Sequence, residues 1–129
     1  MTFLRRVLTL QATLWGVVGA LLLAVPGAVM EIVLDGDTGA ERIWLRLAGV
    51  MAIVLAMLMV LISRRLLDVW WWAWAFAILE AGTATIAVLA AVAGDPPAWP
   101  WWSLGAASIA FLLLDLFGIA RAEREKPFA

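Results

Sequence analysis

One acidic residue lies deep inside an apolar segment. Glu80 sits in Ala77-Ile78-Leu79-Glu80-Ala81-Gly82-Thr83-Ala84-Thr85. Counted from Val69, where that segment begins, it lies about 16 Å along a helix, near the midplane of a bilayer core. An ionised acid at that depth costs on the order of 3 kcal/mol on insertion scales. Glu80 therefore faces protein or enclosed water, or keeps its proton. Two chemistries follow. The carboxyl takes up and releases a proton, or holds a small ligand, within a transport or binding site. Alternatively it is a neutral group, hydrogen-bonded to Thr83 or to a neighbouring helix, and serves packing. No Lys or Arg lies at matching depth.

Asp115 is the second such acid, about 7–9 Å from the inner end of the last apolar run. At that depth it can meet Gln11 or Thr9 of the first run, or the flexible Arg64 and Arg65. It reads as a structural cap or as a relay partner for Glu80. Trp15 lies roughly 12 Å along the first run, below the interface, and reads as a packing residue beside this group. Glu80, Thr83, Asp115, Gln11 and Trp15 form the candidate binding set; the sequence offers no catalytic set.

Absent residue types narrow the chemistry. The chain has no Cys and no His, so thiolate metal sites, disulfides and the usual zinc and haem ligands are excluded. It has no Tyr, hence no phenol to act as an acid. No metal and no cofactor is expected. A net charge of −1 gives no electrostatic case for nucleic acid.

The elements that must carry these residues are apolar helices. Of the 129 residues 66% are hydrophobic, and the mean hydropathy is +1.02. A soluble domain of this size could not cover so much apolar surface. Four runs, at about Val7–Val29, Ile43–Ile62, Val69–Ala93 and Trp101–Ala120, each reach the length of about 20 residues that a span needs. The first is too long for a signal-peptide core, whose apolar stretch is about 7–15 residues. Between the runs lie a polar turn at Asp35-Gly36-Asp37-Thr38-Gly39, a tight basic link at Ser63–Asp68 and a stiff Pro-rich turn at Gly94–Pro100. Pro26 is expected to kink or end the first helix, and the charged tail from Arg121 to fray.

Charge sets the orientation. Arg5, Arg6, Arg64, Arg65, Arg121, Arg124 and Lys126 fall on one side, and Arg42 and Arg46 on the other. Cytoplasmic loops carry the Lys/Arg excess, so both termini are expected inside. Trp70, Trp71, Trp72 and Trp74 crowd the inner start of the third run, while Trp44, Trp99, Trp101 and Trp102 mark the outer boundary. Amphipathic indole rings favour both interfaces, so these eight read as an aromatic belt. Small residues at four-residue spacing offer close helix contact: Ala12/Gly16/Ala20, Ala48/Ala52/Ala56, Ala73/Ala77/Ala81/Thr85 and Ala106/Ala110.

The segment Leu14-Trp15-Gly16-Val17-Val18-Gly19-Ala20 through Val25-Pro26-Gly27, followed by Trp44-Leu45-Arg46-Leu47-Ala48-Gly49, resembles small uncharacterised four-span bacterial membrane proteins of the DoxX-like kind. The likeness covers the first two runs, with Leu114-Asp115-Leu116 adding a trace in the fourth. It implies a bundle in a bacterial plasma membrane and no chemistry. The sequence thus predicts one all-α domain over residues 1–129, a transmembrane four-helix bundle of two hairpins. Its expected partners are the lipid bilayer and a second copy or a larger membrane-protein complex. The leading reading is a non-enzymatic protein acting through helix packing; the rival is a proton-linked transporter or small-ligand binder using Glu80.

Overall fold

The computed structural model describes residues 1–33, 39–94 and 97–126. Of the outer turns read above, residues 35–38 and 95–96 lie outside the described residues, as do residues 127–129 of the charged tail. The described chain is all-helical: α1 (Thr2–Ala24), α2 (Pro26–Val33), α3 (Gly39–Arg64), α4 (Leu66–Val69), a 3₁₀ turn (Trp70–Trp72), α5 (Ala73–Ala93) and α6 (Trp99–Glu125). Four helical stretches, Thr2–Ala24, Arg42–Arg64, Leu66–Ala93 and Trp99–Glu125, are long and apolar enough to cross a membrane.

Local chemistry sets where each helix stops. Val25 leaves the helix at φ −132° and ψ 54°, as the residue before a proline tends to do. Pro26, which lacks the N–H that a helix interior needs, instead opens α2 as its first residue. The first apolar run is therefore two helices rather than one, and Pro26 both ends one and starts the next. The third span begins earlier than hydropathy suggested. Its entry is α4, where Leu66 is fully buried, and the Ser63–Asp68 link shrinks to a break at Arg65. The last helix starts at Trp99, with Pro100 in its first turn, and runs through the charged segment to Glu125. The tail from Arg121 to Glu125 is thus helical, because Arg121 reaches Glu125 one turn on, at 3.5 Å.

The helices associate as α1 with α3 and α5 with α6, and α1 packs on α6 to join the two pairs. The α1–α3 contact is made backbone to backbone. A methyl group added at Gly49 would lie 2.7 Å from the Gly19 carbonyl oxygen, and one at Gly19 would lie 2.8 Å from that of Gly49. At α1–α6, Gly118 leaves room for Leu4. Among the Ala rows, Ala12, Ala52, Ala56, Ala73 and Ala77 are buried, whereas Ala20, Ala48, Ala106 and Ala110 are exposed. On α6 the buried stripe is Gly105, Ser108, Phe111, Asp115, Gly118, Ile119 and Ala122.

The large apolar core gathers in one half of the molecule. Leu4 and Leu8 of α1, Met59 of α3, Leu66, Trp70 and Phe76 at the entry to the third span, and Ile119 of α6 form one cluster. Polar contacts close that end. The Met1 amino group bonds Glu125, Arg5 Nε donates to the Ser63 carbonyl at 3.0 Å, and Lys126 donates to the Leu67 carbonyl. Large apolar side chains remain exposed on every long helix, among them Leu10, Val17, Ile43, Met57, Ile78, Ile86, Leu113 and Phe117. Patches on this scale suit lipid or partner helices rather than water.

Candidate functional site

A polar cluster lies directly above the core. It takes Gln11 and Trp15 from α1, Glu80 from α5, and Asp115 and Ser108 from α6. Residues four apart share a helix face, so Gln11 and Trp15 project from successive turns of α1. Asp115 and Ser108, seven apart, likewise share the inner face of α6. Glu80 lies on the face of α5 that buries Ala73, Phe76, Ala77, Ala84 and Ala87. Three elements of two helix pairs thus converge on one point.

The geometry is that of a branched hydrogen-bond network. The Gln11 amide nitrogen donates to Glu80 Oε1 at 3.0 Å and to Asp115 Oδ2 at 2.9 Å. Trp15 Nε1 donates to the same Glu80 Oε1 at 2.9 Å. Gln11 and Asp115 are fully buried and Glu80 is 1% exposed. One primary amide therefore bridges two carboxyls from different helices, and both of its hydrogens are used. Two further oxygens, Gln11 Oε1 and Asp115 Oδ1, are buried and have no hydrogen-bond partner.

A cavity of about 40 Å³ adjoins the network, lined by Trp15, Glu80, Ser108 and the apolar Leu14, Leu104 and Phe111 among others. One water needs roughly 10–15 Å³ by this measure, whereas small-molecule sites run to about 300 Å³ and above. The space suits a water beside Glu80 and Ser108 and is far too small for an organic solute.

Of the five residues read as candidates, four meet: Gln11, Trp15, Glu80 and Asp115 are joined directly. Thr83 does not join them, because its hydroxyl donates to the Leu79 carbonyl of its own helix at 2.8 Å. Thr9 likewise turns back to the Arg5 carbonyl. Trp15 is more than packing, since its indole N–H is half of the donor set on Glu80. Ser108 escaped the sequence reading; its place seven residues before Asp115 was the available signal. The belt residues scatter by environment. Trp44, Trp72, Trp74, Trp99 and Trp102 are broadly exposed and Trp71 less so, but Trp70 is 4% exposed and belongs to the core, edge-on to Trp71.

No family model matches the chain, and no curated protein or solved structure matches it.

Proposed function

We propose that this chain is a small, non-enzymatic integral membrane protein. It acts through helix packing, with a second copy of itself or with a larger membrane complex. The observation that carries this reading is the closure of the polar cluster. Its donors are spent inside the chain, and its adjoining cavity of about 40 Å³ admits no organic substrate. A group so enclosed works as a lock between two hairpins, α1–α3 and α5–α6. The apolar outer faces are left for lipid and partners. The charge bias supports a cytoplasmic position for both termini. The gathering of the N-terminus, the Arg64–Leu67 link and the α6 terminus at one end supports that arrangement. With the resemblance to DoxX-like proteins, it favours the inner membrane of a bacterium.

Native mass spectrometry from lipid nanodiscs tests the reading, together with cross-linking and affinity capture in the native membrane. A homo-oligomer, or one stoichiometric membrane partner, is expected. A monomer that captures no partner in its own membrane would overturn it.

A specific observation favours a second reading, proton-linked transport. Two carboxyls share one amide inside the membrane, and no Lys or Arg joins them in the network. Intramembrane acids mark proton relays. Under this reading Glu80→Gln folds but abolishes proton-coupled flux in proteoliposomes; under the first it behaves as wild type.

A further inference from the structure

We infer that Asp115 holds a proton on Oδ1 and donates it to Gln11 Oε1, making this acid–amide pair a built proton site within the membrane. The inference does not rest on either functional reading, since it concerns the state of the network itself.

Two observations carry it. First, the buried oxygens without partners, Gln11 Oε1 and Asp115 Oδ1, belong to two side chains already tied by the 2.9 Å bond from Gln11 Nε2 to Asp115 Oδ2. Buried polar atoms in native structures are almost always hydrogen-bonded. Both orphans are acceptors when the acid is ionised. One proton on Oδ1 turns that oxygen into a donor and gives Oε1 the partner it lacks. The acid and the amide then close a ring of two antiparallel hydrogen bonds, N–H to Oδ2 and O–H to Oε1. Second, both hydrogens of the Gln11 amide are committed, one to Glu80 and one to Asp115. No further donor from Gln11 is left for Asp115 Oδ1. Trp15 adds its N–H to Glu80, not to Asp115. Of the two acids, Glu80 is thus the one with two donors, and Asp115 is the one left with a buried oxygen that its own proton would pair with Gln11 Oε1.

The groups that face Asp115 are Gln11 from α1 and Glu80 from α5 through the shared amide, with Ser108 on its own helix bordering the same cluster; Glu80 is the one titratable group in this network besides Asp115. Loss of the proton puts a negative charge beside the Glu80 carboxyl with no cation in the network. It also breaks the O–H···O bond that helps hold α6 to α1. The site therefore couples proton occupancy to the joint between the two helix pairs.

Infrared spectroscopy of the whole protein in lipid, at neutral pH, reads this directly. Protein grown with carboxyl-¹³C aspartate should shift a protonated-carboxyl carbonyl band that stays put with ¹³C glutamate labelling. The other aspartates that could contribute are Asp35, Asp37, Asp68 and Asp95. Asp115→Asn should remove the band. It should still fold, because an Asn amide can donate to Gln11 Oε1 and accept from Nε2 as the acid does. Gln11→Met should move the band to the frequency of a weaker hydrogen bond. If Asp115→Asn fails to fold, replacing the other four aspartates by Asn leaves Asp115 as the one aspartate, and the labelled band of that protein decides the matter. Absence of an aspartate-sensitive band at neutral pH would overturn the proposal, and so would a band that persists in folded Asp115→Asn.

Discussion

At the scale of single residues, Gln11 is the hub, and substitutions should rank by how many partners they strand. Glu80→Gln keeps an acceptor oxygen for Gln11 and Trp15 and is expected to leave folding unchanged. Trp15→Phe removes one donor and should cost about 0.6–2 kcal/mol, the range seen for intramembrane hydrogen bonds. Gln11→Leu takes one of two donors from Glu80 and the donor from Asp115, and should cost more than either, with about 1–3 kcal/mol for the unsatisfied Asp115 alone. Reversible unfolding in mixed micelles measures all three; a Gln11→Leu variant no less stable than Trp15→Phe would refute the hub. Depth along the chain was enough to pick out Glu80, Asp115 and Gln11, because rise per residue is fixed once a helix is assumed. The donor set on Glu80 was not legible in the same way. Periodicity says which residues share a face, yet it does not say which helix that face meets. Thr83 was therefore a natural partner on paper, but its hydroxyl bonds its own Leu79 carbonyl, while Trp15 from a helix distant in sequence takes the role.

At the scale of helices, the tightest contact is the α1–α3 crossing at Gly19 and Gly49, where an added methyl group would press on backbone rather than on a movable side chain. Gly49→Val should therefore force the helices apart and destabilise the protein by about 1–3 kcal/mol. Gly82, also within a span, has open space around it, so Gly82→Val is expected to be close to neutral. Equal effects of the two substitutions on unfolding would remove the crossing as the cause. Alanines give the same contrast: Ala77→Leu enters the core beside Phe76 and should overpack it, whereas Ala110→Leu points outward and should not. The sequence carried the existence and approximate length of four apolar helices, since length and hydropathy are enough for that. It misplaced the packing stripe of α6 because Ala is common on all faces of an apolar helix. In lipid, an apolar residue gains little by facing protein rather than solvent. Where a residue type had a specific mechanical consequence, as with Pro26, the break was foreseen, though not the short helix that restarts from it.

At the scale of the whole molecule, the N-terminus and the last turn of α6 are drawn together. Glu125 meets the N-terminus, Arg5 binds the last turn of α3, and Lys126 reaches the start of the third span. The seven basic residues at positions 5, 6, 64, 65, 121, 124 and 126 thus lie on elements that share one end, beneath the core built from Leu4, Leu8, Met59 and Leu66. A four-span chain can bring these segments together on one side of a membrane without dragging a charge through it. An odd number of crossings would separate the N-terminus from Glu125 by the full bilayer thickness of about 30 Å. Positive residues are retained in the cytoplasm during insertion, so that shared end is expected inside. The native chain has no Cys, which makes the test clean. Single Cys residues at Asp37 and at Asp95 should react with a membrane-impermeant maleimide in intact cells, and Cys at Arg64 should react only after lysis. Reaction of position 37 only after lysis would reverse the orientation. Labelling of positions 37 and 64 alike in intact cells would mean that the charge bias fails to select one topology. In that case the packing of α1 on α6, rather than the charges, would have to explain why the N-terminus and the last turn of α6 meet.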